Sequence, residues 1–321
     1  MNVEVFENFF ASADMQFRYI IHRLKGLNDK YDEANNRMFD LTQNHDFPFF
    51  NPKIGLTYKP GKNHNIYASF SVANREPNRD NYTEAAEGER PTSERLYDTE
   101  AGYQFLSERF SAGANLYYMR YKDQLILTGK ISEIGEALTS NIPDSYRAGV
   151  ELLAGWKISD LLRWDGNLTL SQNKILNFTE SVEVYDEYWE KLGMQNNHLG
   201  MTDIAYSPNV VVNSIFTFNY KSFEAGLHSS YVGKQYLDNT SNNARTIDAY
   251  FVNNLSVGYT LPFNKNAKAI KFNLLINNLF NEEYEVNGYV WSYYLGSKRC
   301  NDLHHFAQAG TNFMAAVTLL F

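Results

Sequence analysis

The chain has 321 residues, 44% of them hydrophobic and 21% charged, so composition alone would allow soluble domains, an enzyme included. The net charge of -8 and the pI near 5.4 argue against nucleic acid as a partner, because Lys and Arg are scattered and form no basic stripe. A single cysteine, Cys300, excludes an internal disulfide framework. No apolar run approaches the roughly 20 residues of a spanning helix, so any membrane segment must be a strand.

The first residues, MNVEVFENFFASADMQF, do not have a basic start followed by an apolar core and a small-residue cleavage site. We therefore expect that this stretch is not a secretory signal peptide. Either the protein is not exported or its beginning is missing from the chain.

Alternation with a period of two predicts about twelve strands. In chain order they are 14–25, 50–60, 64–74, 93–105, 109–123, 145–157, 162–174, 208–220, 222–235, 247–261, 267–278 and 309–321. The segment near 270 is typical, because Ile270 and Phe272 alternate with Lys271 and Asn273. One face is therefore apolar and the other polar.

The length of these runs separates two kinds of all-β protein. A soluble sandwich also alternates, but its strands usually have about five or six residues. A tilted transmembrane strand needs about 9 to 11, with apolar side chains toward lipid and aromatic residues at both interfaces. The 23 Tyr and 22 Phe fit such girdles. The pattern predicts an all-β fold, an antiparallel transmembrane β-barrel, with a soluble all-β protein as the alternative.

The connections between these strands alternate in length. Short polar turns such as PGKN, LSER and KS connect the strands at one end. The connections at the other end are long, at 26–49, 75–92, 124–144, 175–207, 236–246 and 279–308. Outer-membrane barrels have short periplasmic turns and long external loops. We therefore expect the long connections to lie outside the cell.

Near the C-terminus the chain resembles a known family. The segment Leu274 to Tyr284, LLINNLFNEEY, is similar to the Asn-Leu-Phe-Asp-x-x-Tyr segment before the final loop of TonB-dependent receptors. The segment 308–313 resembles the Pro-Gly-Arg segment that opens their last strand, although Thr311 stands where Arg is common. Weaker similarities to the same family, including SYRAGVEL at 145–152, occur earlier in the chain, in the expected order from about residue 50 onward.

The resemblance implies a barrel of about 22 strands in the bacterial outer membrane, plugged by an N-terminal domain. Residues 1–321 would be its C-terminal half, holding the last twelve strands, without the plug. It also implies energy-dependent import of a scarce small ligand, such as siderophore-bound iron, haem, cobalamin or a glycan. The energy would come from the TonB complex through a missing N-terminal region, and no catalytic residue or cofactor is implied.

The last strand resembles the signal that the barrel insertion machinery recognises. Apolar residues alternate up to the terminal aromatic residue, at Phe313, Val317, Leu319 and Phe321. An apolar strand with a free edge can pair with another strand. The alternative is that Phe321 only anchors the strand among outer-membrane lipids.

The long connections are rich in aromatic and polar residues, which suit capture of a planar or sugar ligand by stacking. The ligand-contact candidates are Arg75, Tyr82, Tyr185, Trp189, Tyr289, Trp291 and Tyr293. The alternative is that these rings pack loops together or form the outer girdle. Charged residues on the polar face are candidates for contact with a plug: Asp98, Glu100, Arg147, Glu151 and Lys271.

No catalytic constellation, nucleotide loop or metal-ligand spacing accompanies the seven His residues. His304 and His305 are adjacent, and neighbours on a strand point to opposite sides. Two other classes of function stay open. One is a self-contained barrel of about 12 strands, either a passive pore or a hydrolase; the other is a barrel that only displays adhesive loops.

Overall fold

The computed structural model describes residues 2–32, 36–85, 90–131, 135, 137–263 and 268–320. The first ten strands are β1 Asn2–Phe6, β2 Phe9–Leu24, β3 Leu27–Asp32, β4 Arg37–Asp40, β5 Gln43–Gly61, β6 His64–Arg75, β7 Glu94–Leu106, β8 Phe110–Ile131, β9 Ala137–Lys157 and β10 Leu162–Tyr185. The others are β11 Lys191–Asp203, β12 Val210–Tyr220, β13 Phe223–Val232, β14 Gln235–Tyr236, β15 Thr246–Ile247, β16 Tyr250–Pro262, β17 Ala269–Asn277, β18 Glu285–Leu295, β19 Lys298–Ala307 and β20 Asn312–Leu320. One helix, α1, spans Arg79–Thr83. Within these ranges no helix is long and apolar enough to cross a membrane.

One sheet of 16 strands holds most of the chain together. Its main path runs β1-β2-β5-β6-β7-β8-β9-β10-β12-β13-β16-β17-β20. Off this path, β11 and β18 pair with β10, and β19 pairs with β18. Neighbours on the main path pair antiparallel, as β8 does with both β7 and β9. This up-and-down order needs only hairpin connections, which is why strands close in sequence lie side by side.

Each of the twelve predicted strands has a counterpart on the main path, so the predicted antiparallel all-β architecture is confirmed. The prediction did not include β1, which has five residues. Several strands are also longer than predicted. β8 continues to Ile131, β9 starts earlier, at Ala137, and β10 continues to Tyr185. The long connections therefore consist largely of hairpins that extend the sheet and satisfy their own backbone hydrogen bonds.

The strand register confirms two chemically distinct faces. Across β7, β8, β9 and β10, one row aligns Asp98, Met119, Arg147 and Asn173. Two residues further along β7, Glu100 aligns with Tyr117 and Gly149 on the same face. We call this polar face the lumen face. The opposite face carries exposed apolar side chains, among them Leu116 at 60% and Met15 at 75% exposure, and we call it the lipid face.

Two glycines on the lumen face lie beneath tyrosine rings. A Cβ atom at Gly102 would come within 2.4 Å of the Tyr67 ring, and one at Gly149 would come within 2.5 Å of the Leu170 carbonyl oxygen and 2.7 Å of the Tyr117 hydroxyl. A side chain at either position would displace the ring that covers it. Glycine therefore allows the two rings to lie flat on neighbouring strands.

Candidate functional site

The external ends of the long hairpins meet on one side of the sheet. The β10–β11 hairpin and the β18–β19 hairpin join through a short parallel pairing, in which Glu183 is opposite Tyr293 and Tyr185 is opposite Leu295. The amide of Gly296 also donates to the carbonyl oxygen of Tyr185 at 2.8 Å. Two connections far apart in sequence thus form one surface.

Four of the predicted ligand-contact residues come together on this surface. The ring centroids of Trp189 and Tyr293 lie 5.3 Å apart, and those of Trp291 and Tyr293 lie 4.5 Å apart. Tyr185 lies 5.8 Å from Trp189 and 6.3 Å from Tyr293. Trp189 and Trp291 are 52% and 39% exposed, while Tyr293 is buried beneath them. We call Tyr185, Trp189, Trp291 and Tyr293 the aromatic cluster.

Charged groups border the aromatic cluster on its β10 side. The hydroxyl of Tyr185 donates to Glu183 at 3.0 Å, and Lys191 forms an ion pair with the same carboxylate at 2.8 Å. Burial and the Glu183 carboxylate raise the pKa of Tyr185 to about 12, so its hydroxyl stays protonated near neutral pH. The cluster therefore offers apolar ring faces beside hydrogen-bonding groups.

A buried ionic network supports the hairpins from beneath. Arg245, between β14 and β15, has a side chain that is 2% exposed and binds Asp238 at 2.6 Å and Glu180 at 3.2 Å. Glu180 also accepts from Arg299 on β19 at 2.5 Å, and Arg245 donates to Asn301 at 2.6 Å. We call these residues the Arg245 network. It links three hairpins that the sequence separates.

Two small apolar cores complete this support. One contains Ile126, Ile142, Ile175 and Ile204, and the other contains Leu237, Ile247 and Val290. Tyr206 packs on the second core and donates to the carbonyl oxygen of Gly288 at 2.5 Å. Burial and the nearby Asp238 carboxylate raise the pKa of Tyr206 to about 12. These residues fix the positions of the hairpins relative to the sheet.

The three remaining ligand-contact candidates lie away from the aromatic cluster. Tyr289 stacks on His304 with centroids 4.6 Å apart, and Arg75 forms an ion pair with Glu94 at 3.0 Å. Tyr82, on α1, is 3% exposed and stacks on His45 at 4.7 Å. Burial, together with the Glu76 carboxylate, raises its pKa to about 12. The structure therefore does not gather all seven candidates at one point.

The five plug-contact candidates share the lumen face. Asp98 and Glu100 lie two residues apart on β7 and therefore on the same face of the strand. Arg147 donates to Asn173 at 3.1 Å and to Ser207 at 3.0 Å, while Lys271 pairs with Glu224 at 3.0 Å. Lower on the same face, a groove of about 390 Å³ is lined by Gln104, Gly113, Leu153, Asp165, Asn213 and Ile215. Polar groups and exposed apolar Leu153 therefore line the interior.

The predicted insertion signal lies on the last strand of the sheet. Phe313, Val317 and Leu319 are 77%, 65% and 52% exposed on one face of β20. Phe321 lies outside the described residues. Within the described ranges, no group of three or more His, Cys, Asp or Glu side chains is arranged to hold a metal ion.

Sequence reasoning missed the Arg245 network, because an isolated Arg in a polar loop is normally exposed. Neither periodicity nor motif spacing places Glu180, Asp238 and Arg299 around Arg245. The aromatic side chains could be found, because large rings in long external connections are unusual enough to notice.

An antiparallel sheet with a lipid face, a polar lumen face and large external hairpins defines an outer-membrane β-barrel of the receptor type. The chain belongs to the family described as "TonB dependent receptor-like, beta-barrel", whose model matches residues 18–279. Proteins of this family lie in the outer membrane. The match confirms the resemblance to TonB-dependent receptors that the sequence analysis found. No curated protein matches the chain in sequence.

Solved structures of receptors and transporters share this fold. The siderophore receptor PiuA from Acinetobacter baumannii is 16% identical, with a TM-score of 0.68 over 98% of this chain and 41% of that protein. The ferric-catecholate import receptor Fiu from E. coli is 14% identical, with a TM-score of 0.64 over 99% of this chain and 43% of that protein. The copper transporter OprC is 14% identical, with a TM-score of 0.66 over 97% and 45%. The chain thus spans less than half the length of each structure.

Proposed function

We propose that the chain is part of a receptor that binds a scarce small molecule on the aromatic cluster and imports it across the outer membrane. The observation that carries this proposal is the convergence of Trp189, Trp291, Tyr185 and Tyr293 from two distant hairpins. Half-exposed rings on a braced surface suit stacking on the ligand with little loss of conformational freedom. Candidate ligands are siderophore-bound iron, haem, cobalamin and glycans.

The arrangement of the whole receptor is also part of the proposal. Residues 1–321 would form the C-terminal half of a barrel of about 22 strands. A plug domain would contact Asp98, Glu100, Arg147, Glu151 and Lys271, and a region outside this chain would contact the TonB complex. The insertion machinery would recognise β20, and outer-membrane lipid would surround the lipid face.

The aromatic cluster can be tested by binding measurements on the complete protein. A panel of ferric catecholate, haem, cobalamin and oligosaccharides would be titrated against purified protein to find the ligand. We expect the Trp189→Ala/Trp291→Ala double variant to weaken the affinity of that ligand about tenfold, since each ring contributes about 0.5–1.5 kcal/mol. The matched control is Trp156→Ala, whose ring is exposed on the lipid face.

Equal affinities for the double variant and the parent protein would remove the aromatic cluster from the proposal. Energy coupling is tested separately, by measuring uptake of the bound ligand in cells with and without the TonB complex. Uptake that continues without that complex would favour a passive pore instead.

A further inference from the structure

Three cations lie close together on the lipid face of β7 and β8. Arg95 on β7 is directly opposite Lys122 on β8, and Tyr97 is opposite Arg120 in the neighbouring row of the same face. Directly opposite residues have Cβ atoms about 4.5–5.5 Å apart, and diagonal neighbours about 7–8 Å. The three positive groups therefore share one small area, which we call the cationic patch.

The cationic patch is only partly neutralised. Asp144 on β9 forms an ion pair with Lys122 at 3.0 Å, and it accepts hydrogen bonds from Nε and Nη2 of Arg120. Arg95, which is exposed, donates through Nε to the amide oxygen of Asn74 at 2.9 Å, and it forms no ion pair with any other described residue. Among the described residues, one carboxylate thus faces three cations, which leaves a net charge of +2 on these four side chains.

This arrangement has an electrostatic cost. Like charges directly opposite each other on paired strands destabilise a sheet, and Arg95 and Lys122 form such a pair. Asp144 holds Arg120 and Lys122 in place but does not pair with Arg95. A further anion between Arg95 and Lys122 would remove the repulsion.

The height of the cationic patch indicates which anion can reach it. Tyr146 pairs with Arg120 in the same row, and Tyr118 packs against Tyr146 with ring centroids 6.0 Å apart. Leu116 follows on the same face of β8, toward the short turns. Tyrosine rings above an apolar band mark the boundary between acyl chains and headgroups, here on the external side.

We infer that the cationic patch binds the phosphate group of a lipid headgroup in the outer leaflet. Guanidinium groups bind phosphate oxygens in pairs, and the Lys122 ammonium adds a third donor. The acyl chains of the same lipid would lie against Leu116 and the apolar band below. The patch faces lipid rather than the lumen, so the lipid headgroup is the source of phosphate that reaches it. This inference does not depend on the ligand of the aromatic cluster.

The experiment compares lipid that stays bound to the complete protein. The protein and its variants would be purified from the outer membrane in a non-ionic detergent, and the retained phosphorylated lipid would be measured per protein by phosphate assay and mass spectrometry. We expect the Arg95→Gln/Lys122→Gln variant to retain about tenfold less lipid, since each cation near a membrane surface contributes measurably to headgroup binding.

Two control variants accompany it. Arg109→Gln/Lys221→Gln removes the same charge from the short turns and is expected to retain lipid like the parent protein, as is the charge-preserving Arg95→Lys. Equal retention by the Arg95→Gln/Lys122→Gln variant would overturn the inference. If the parent protein retains no phosphorylated lipid but binds inorganic phosphate at millimolar concentration, the assignment to a lipid is overturned and a general anion site remains.

Discussion

At the residue scale, the charge of Arg245 is the feature that most constrains the external hairpins. A buried guanidinium without partners would lose several kcal/mol of hydration, so its carboxylates must stay in place. Asp238 and Glu180 supply those charges, at side-chain exposures of 8% and 11%. Because Glu180 also binds Arg299, movement of one hairpin disturbs the partners of the others.

Loss of the Glu180 charge should therefore loosen the hairpins. We expect Glu180→Gln to lower the free energy of local unfolding around β14 and β15 by about 1.5–3 kcal/mol, as for other hydrogen bonds to charged groups. Hydrogen exchange of the β14 and β15 amides measures this change. The control Glu187→Gln alters an exposed carboxylate in the same hairpin and should change it by less than about 0.5 kcal/mol. A result for Glu180→Gln as small as for the control would show that the network does not brace the loops.

The same residue gives the hairpins a pH dependence. Burial acts to raise the pKa of Glu180, but Arg299 and Arg245 outweigh it and hold the pKa below its ordinary value of 4.5. Since the pKa is lower in the folded state, the stabilisation is complete above pH 4.5 and is lost as pH falls through the lower, folded value. Hydrogen-exchange protection should fall over this acid range in the parent protein, and this part of the pH dependence should be absent from Glu180→Gln.

At the element scale, each strand of the main path presents different environments to alternate residues. Leu116 on the lipid face and Asn115 on the lumen face are neighbours on β8. Asn115 accepts from the hydroxyl of Tyr67 at 3.0 Å, and Leu116 is 60% exposed. A charge introduced at position 115 would meet polar groups, whereas a charge introduced at position 116 would meet acyl chains.

This difference predicts unequal effects for two adjacent substitutions. We expect Leu116→Lys to lower the free energy of unfolding in bilayers by about 1–3 kcal/mol, since a lysine facing lipid costs about 2–4 kcal/mol at the midplane and less toward the interface. Asn115→Lys, which introduces the same charge one residue away, should cost much less. Unfolding by denaturant in lipid vesicles measures both. Equal costs would mean that the two faces of β8 are assigned to the wrong environments.

At the scale of the whole molecule, the described sheet ends at β1 on one side and at β20 on the other. Unpaired backbone groups in lipid cost several kcal/mol each, so a strand edge within a membrane needs a partner. The proposed receptor meets this need with further strands from the remainder of a barrel of about 22 strands.

The size of the native product tests that arrangement. An antibody against residues 175–207 should detect, in outer membranes of the source cell, a band at about twice the 37.0 kDa of this chain or more. Such a mass would accommodate the remaining strands and a plug. A band at 37.0 kDa that shifts on heating would instead indicate a small complete barrel and would contradict the proposed plug contacts.

The strand positions, the two faces and the family could all be predicted from the sequence. Alternation such as Ile270, Lys271, Phe272 and Asn273 is local, and each strand meets the same two environments along its length. The sequence also identified rings such as Trp189 and Trp291 as candidates for ligand contact.

Only the tertiary structure decided which residues of the external connections meet. Trp189 and Trp291 are about a hundred positions apart in the chain, yet their rings stack. Arg245, which lies between them in sequence, binds Glu180 upstream and Asn301 downstream. No short-range period encodes such contacts, because they depend on how separate hairpins pack above the sheet. The long hairpins themselves were expected as loops, since their polar strands are solvated on both faces and show little alternation.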